Sequence, residues 1–256
     1  MIRIRNLWKR YGSNDVLRGL DLDVRTGEIL VILGRSGVGK SVLLRHIIGI
    51  EKPEQGTIEV DGLNITALKK NKIYSAVKHM GMLFQGAALF DSMNIEDNTS
   101  FYLRQHGDPQ TGKPIPAPVI QKKVREALSM VGLEGIEKKM PSDLSGGMRK
   151  RAALARLIVY RPSILLYDEP TTGLDPITAR QINELIVKTQ KELKGTSIIV
   201  THDLSSAFFV ADRLALHNEG KIAYVAEPEV FMKINDPIIE FLRENVAYTM
   251  RKESRE

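Results

Sequence analysis

A run of apolar residues, Ile29–Leu33, enters the segment Gly34-Arg35-Ser36-Gly37-Val38-Gly39-Lys40-Ser41 and leaves it into a helical pattern that continues through Ile50. This succession of strand, glycine-rich loop and helix constrains the fold more than any other part of the chain. In a Gly-x4-Gly-Lys-Ser loop so placed, backbone N–H groups converge on one point, because glycine has no Cβ to block approach. The helix that follows adds the positive end of its dipole. The result is a cradle for phosphate oxygens. Lys40 is expected to reach the β- and γ-phosphates, and Ser41 to offer its hydroxyl to Mg2+. A merely structural glycine turn would make both flanks coincidental.

Other segments end in chemistry of the same kind. Ser163-Ile-Leu-Leu-Tyr-Asp168-Glu169 reads as a buried strand that finishes in two carboxylates. Asp168 suits the hard-oxygen shell of Mg2+. Adjacent residues at a strand end point in different directions, so Glu169 is free to face an attacking water. A positioned general base contributes roughly 10²–10⁴ in rate. Thr196-Ser-Ile-Ile-Val-Thr-His202 repeats the pattern, and ligands of open α/β sheets bind at such strand ends. His202 is the histidine expected at the site. His46, His79, His106 and His217 are read as structural, since nothing in the sequence puts them there. Leu144-Ser-Gly-Gly-Met148 opens a helix rich in basic and small residues. Alone it fits either an anion cradle or an ordinary N-cap with flexible glycines.

The remaining chain sorts into three regions. Alternating apolar residues near the start (Ile2, Ile4, then Leu20, Leu22, Val24) suggest an antiparallel sheet. From about Gly86 to Pro162 the apolar spacing turns helical, through Val124, Leu128 and Val131 and again through Ala152, Leu154, Leu157 and Ile158. The proline-rich stretch 106–118 inside this region marks an exposed loop. After Pro162 strands return, the first two separated by a helix over Pro176–Leu193, so parallel pairing in an α/β sheet is expected. The charged end, 248–256, is expected to be a flexible tail.

Composition excludes several classes. The 256 residues include no cysteine, which rules out disulfides and thiolate metal sites and is compatible with a reducing cytosol. No stretch reaches the roughly 18 apolar residues of a membrane-spanning helix, and the first residues lack the apolar core of a secretory signal. The net charge of +6 is spread along the chain, with small clusters at 69–72 and 149–151. It shows none of the arginine–aromatic interleaving of single-strand binders, so it reads as a solvated surface and no nucleic-acid partner is expected.

Taken in order, these motifs resemble the ABC ATPases over nearly the whole chain. Gly34–Ser41 is similar to the Walker A loop, Gln85 to the Q-loop glutamine, Leu144–Met148 to the LSGGQ signature and Asp168-Glu169 to the Walker B pair. Thr172-Gly-Leu-Asp175 resembles the D-loop, His202 the switch histidine and Tyr11 the aromatic that stacks on adenine. The resemblance implies a P-loop NTPase (RecA-like) α/β core over 1–86 and 163–256, with an antiparallel β subdomain and an inserted α-helical subdomain over 87–162. It implies ATP and Mg2+ as ligands. ATP contacts would come from Tyr11, Val16, Gly34, Arg35, Ser36, Gly37, Val38, Gly39, Lys40, Ser41, Val42 and Gln85, and across an interface from Ser145, Gly146, Gly147 and Asp175. Mg2+ would be held by Ser41, Gln85 and Asp168, and catalysis would rest on Glu169, His202 and Lys40. Two copies would associate head to tail, each ATP lying between the Walker A loop of one and the signature of the other.

Met148 replaces the usual signature glutamine, and the wording of 144–156, 82–98 and 168–179 resembles the Mla/MCE lipid-transport ATPases. That subfamily implies phospholipid movement between inner and outer membranes, from the cytoplasmic face of the inner membrane. Its partners would be an integral membrane permease, an MCE substrate-binding protein and, in some systems, a STAS-domain protein. The permease would dock near Gly86–Leu103, where Phe90, Phe101 and Tyr102 are either its anchors or ordinary core. The same motor driving another cargo is the alternative. A soluble ABC ATPase of DNA repair or translation is disfavoured, because the long coiled-coil insert and the tandem ATPase halves of those types are absent.

Overall fold

The alternating start of the chain folds into an antiparallel sheet. The computed structural model describes residues 1–241 together with Arg243 and Glu244; the tail expected over 248–256 lies outside the described residues. β1 (Ile2–Tyr11) is flanked by β2 (Asn14–Val24) and β4 (Gln55–Val60), and β5 (Leu63–Asn64) pairs with β4. Ile2 and Ile4, and Leu20, Leu22 and Val24, turn to the buried face, as the two-residue period of a strand dictates, and a register shift after Ile4 brings Leu7 to the same face.

A second sheet runs in the order β10-β9-β3-β8-β7-β6. Its strands are β3 (Ile29–Leu33), β6 (Met80–Leu83), β7 (Ile164–Asp168), β8 (Thr196–Thr201), β9 (Arg213–Asn218) and β10 (Lys221–Ala226). All neighbouring pairs are parallel except β9 with β10. β3, β6, β7 and β8 are buried along their whole length, which is why they read as unbroken apolar runs. Ile29, Val31 and Leu33 face a core shared with the helical region. Leu30 and Ile32 face a core shared with α1 (Lys40–Ile47) and the antiparallel sheet. β3 is therefore a wall common to both cores. The helix expected through Ile50 stops at Ile47, since Gly49 takes a left-handed φ of +74° just beyond it.

Register decides where the loops emerge. Leu33 lies opposite both Thr201 and Leu216, Asp168 opposite Val200, and Leu83 opposite Tyr167. The parallel strands thus end along one edge of the sheet. Their connections include α6 (Pro176–Leu193), from β7 to its neighbour β8, and α7 (Leu204–Val210), which carries the chain from β8 past β3 to β9.

Between β6 and β7 stand α3 (Ile95–His106), α4 (Ala117–Met130) and α5 (Gly146–Ile158). The Asn94 side chain caps α3 by accepting the Asp97 N–H, and Glu96 and Asp97 favour its positive end. Pro118 enters the first turn of α4, where a missing N–H costs nothing, so the loop expected over 106–118 is confined to 107–116. Gly81 lets α5 pack directly on β6, because Leu157 and Tyr160 occupy the space a side chain would need. The segment after Gln85 is pinned by buried Asn98, which accepts the Phe90 N–H and donates to the carbonyls of Phe90, Met93 and Asn94. Tyr102 stacks on Tyr160 with centroids 4.0 Å apart and donates to the Lys78 carbonyl, so it joins α3 to its surroundings. Phe90 rests against Phe101 yet keeps 40% exposure. No helix among the described residues is long and apolar enough to cross a membrane.

Candidate functional site

The shared strand edge gathers the phosphate loop, Asp168, Glu169 and His202. Lys40 is 5% exposed and stands at the start of α1. Its ammonium donates to the carbonyls of Gly34 (2.8 Å) and Arg35 (3.0 Å) and lies 3.4 Å from Glu169 Oε1. Gly39 immediately precedes it with φ +107°, and Val16 Cγ1 sits 2.6 Å from where a Cβ would be, so only glycine fits. Gly37, also left-handed, has open space at the same position. The loop is walled on its inner side and open at Gly37, as a phosphate cradle requires.

The two adjacent carboxylates serve different neighbours. Asp168 Oδ1 accepts the Ser41 hydroxyl at 2.7 Å. Burial raises the Asp168 pKa; the Ser41 bond opposes that, and the nearby Glu169 charge adds to it. A hydroxyl and a buried carboxylate in contact make an all-oxygen pair that fits Mg2+. Glu169 turns the other way, its φ of +48° outside the ordinary regions and its N–H bonded to the Val200 carbonyl. Its Oε2 accepts from Thr172 Oγ1 (3.0 Å) and Thr201 Oγ1 (3.3 Å) and lies 2.9 Å from His202 Nδ1. Burial pushes the Glu169 pKa up, but the His202 hydrogen bond and the Lys40 charge outweigh it and hold the carboxyl below its ordinary range. A strained, ionised carboxylate with a fixed orientation suits a general base.

Tyr11 ends β1, 43% exposed, its hydroxyl bonded to Glu51 and Lys9 Nζ 5.1 Å from the ring centre. Burial and then the Glu51 bond push its pKa up to about 12. Val42 lies half-buried in the first turn of α1. Gln85 is exposed just past the end of β6, and its backbone carbonyl accepts from Lys150. Ser145, Gly146, Gly147 and Asp175 form a separate cluster. Ser145 Oγ accepts the Met148 N–H at the start of α5, and Asp175 caps α6 by accepting the Thr178 N–H. Thr178 Cγ2 fills the space above Gly147, and Leu174 approaches Gly146. Among the described residues, no hydrogen bond or ion pair joins these four to the phosphate loop.

His217, expected from the sequence to be structural, lies against the phosphate loop. It follows Leu216, whose parallel register with Leu33 brings it beside Gly34, and its ring edge approaches Gly39. It is 1% exposed, and among the described residues neither ring nitrogen has a hydrogen-bond partner. Burial first, and the Lys40 charge second, lower its pKa to about 4. The neutral ring supports the floor of the loop. No motif announced it; only strand register does.

The unfolded chain takes up this proton below about pH 6.5, whereas the native chain resists it until about pH 4. Stability contributed by the neutral ring is therefore lost as pH falls through that window, by about 2 kcal/mol at pH 5. The loss of urea stability between pH 7 and pH 5 should shrink by that order in His217→Leu. An equal loss in both proteins would contradict this account.

Residues 17–172 match the family model described as ABC transporter. The chain is 39% identical over 238 residues to the probable ribonucleotide transport ATP-binding protein mkl of Mycobacterium leprae, covering 93% of this chain and 67% of that one. It therefore spans about two thirds of that relative's length. It is 36% identical over 247 residues to the intermembrane phospholipid transport system ATP-binding protein MlaF of Escherichia coli K12, covering 96% and 90%. Among solved structures it is similar to the dimeric post-hydrolysis state of the ATP-binding cassette MJ0796 bound to ADP and Pi. That likeness has a TM-score of 0.80 and 28% identity, and covers 89% of this chain and 98% of that one. With the family model matched over more than half its length, and with a phosphate loop at the focus of its sheet, this chain belongs to the ABC transporter ATPases.

Proposed function

We propose that this chain is the ATP-hydrolysing subunit of a transporter that moves phospholipids between inner and outer membranes. The observation that carries the cargo is the likeness to MlaF, which extends over 96% of this chain and 90% of that protein. The Met148 signature wording agrees with it. The higher identity to mkl, named for ribonucleotide transport, favours a second reading: the same motor serving another cargo.

In the proposed mechanism the backbone amides of Gly34–Ser41 bind the phosphates. Tyr11 and Val16 hold the adenine end, and Lys40 exchanges loop carbonyls for phosphate oxygens. Ser41 and Asp168, with Gln85, would hold Mg2+, which supplies charge neutralisation at the β- and γ-phosphates. Glu169 takes the proton of the attacking water, and His202 fixes the carboxylate and reaches toward the γ-phosphate. Ser145, Gly146, Gly147 and Asp175 act across an interface with a second copy. The Ser145 oxygen caps α5, which leaves its O–H free to donate to phosphate. Exposed Phe90 is the residue best suited to meet an integral membrane permease at the cytoplasmic face of the inner membrane. An MCE substrate-binding protein and a STAS-domain protein complete the proposed assembly.

Glu169→Gln should retain ATP binding, lose at least about 100-fold in turnover and accumulate as an ATP-bound dimer. Near-native turnover by that variant would refute the general-base role. Lys40→Ala should instead weaken nucleotide binding, read by equilibrium titration. For the cargo, the native membrane complex should copurify with a permease and an MCE protein and carry phospholipid detectable by mass spectrometry. A complex holding a different cargo class and no MCE protein would favour the second reading.

A further inference from the structure

Lys150 is a costly residue to bury. It lies in the second turn of α5 with 6% exposure, and its ammonium donates to the backbone carbonyl of Gln85. Among the described residues, no carboxylate comes within ion-pair distance of it. Burial works to strip its charge, while the fields of Asp168 and Glu169 work to keep it. A hydrophobic side chain would pack there without that desolvation cost, so packing alone does not account for a lysine.

The carbonyl it holds begins an unusual stretch of backbone. Ala87 and Ala88 both take left-handed φ values, +63° and +50°. Residues with a Cβ keep such conformations only where the surroundings impose them. Arg156, farther along the same helix, donates to the carbonyls of Ala88 (2.7 Å) and Ala87 (3.0 Å) and lies 5.5 Å from the Phe90 ring. Two cations of α5 therefore fasten the segment 85–88, and α5 itself starts at Gly146, capped by Ser145. The exposed Gln85 side chain has no hydrogen bond of its own among the described residues, so its position depends on how its backbone is held.

We propose that Lys150 is a positioning residue for ATP hydrolysis, fixing through the Gln85 carbonyl where the Gln85 side chain stands at the sheet edge. The inference rests on the reading of Gln85 as a contact of the Mg2+ site. Arg156 holds the far side of the same segment. Through α5, both tie it to the signature at Ser145–Gly147.

The test is a double-mutant cycle in the full-length chain with Lys150→Met, Lys150→Arg, Gln85→Ala and Lys150→Met/Gln85→Ala. Methionine keeps the length and apolar stem and removes the donor; arginine restores it. Lys150→Met should lower kcat roughly tenfold or more, with the KM for ATP within about twofold, the size expected from a small misplacement of a positioned group. Lys150→Arg should recover most of it, and the double variant should be no slower than Gln85→Ala. Amide hydrogen exchange should quicken at residues 85–90 in Lys150→Met without a matching change at the phosphate loop. If Gln85→Ala is slow but Lys150→Met hydrolyses normally, or if the two losses multiply in the double variant, the positioning role is wrong. If Lys150→Met merely lowers thermal stability and arginine does not rescue kcat, the lysine is structural and the proposal falls. If Gln85→Ala itself turns over normally, the reading of Gln85 fails first, and the inference falls with it.

Discussion

Parallel pairing of β3 with β8, with Leu33 opposite Thr201, is the constraint on which the rest of the structure depends. It sets the end of the strand that feeds the phosphate loop level with the end of the strand that delivers His202. The pairing of β7 with β8 then fixes Asp168 and Glu169 beside Lys40 and Ser41. A one-residue slip would turn each strand's side chains to the opposite core. Both faces of β3 are committed to cores, so that slip would bury nothing correctly. Packing of apolar side chains thus holds the polar site in place.

That polar site is balanced by mutual compensation. Lys40 is nearly buried, yet it has two carbonyls and a carboxylate to satisfy it. Glu169 is strained, yet four groups hold its carboxylate. An isolated charge in either position would be expensive. In the proposed ATP-bound state Lys40 gives up the Gly34 and Arg35 carbonyls for phosphate oxygens, and the negative charge of the phosphate takes over the neutralisation that these contacts and Glu169 supply now.

Much of this was legible in the sequence, for physical reasons. Fully buried parallel strands read as apolar runs, so β3, β7 and β8 and the residues at their ends were visible. The phosphate loop was legible because the steric demand at Gly39, against Val16, allows only glycine. What escaped is whatever register alone decides. His217 lies beside Gly34 because Leu216 pairs with Leu33, a relation between residues far apart in the chain. The Lys150 contact with Gln85 likewise spans 65 positions and arises from the packing of α5 on β6 at Gly81. Helix ends also moved, where Gly49 stops α1 and Pro118 begins α4 earlier than proline content suggested.

The residues proposed to contact ATP fall into two clusters, Gly34–Ser41 with Asp168 and Glu169, and Ser145–Gly147 with Asp175, and in one copy no hydrogen bond or ion pair among the described residues joins them. The account therefore centres on a site shared between two copies. Mixing two separately inactive variants tests it most directly. Lys40→Ala spoils the phosphate loop, and Gly146→Asp sets a negative charge at the start of α5, where helix structure tolerates it but phosphate does not. A mixed dimer would contain one site in which both halves are intact, so ATP hydrolysis should rise above that of either variant alone and peak near equal proportions. Hydrolysis that stays at the sum of the two separate rates at every ratio would contradict the shared site.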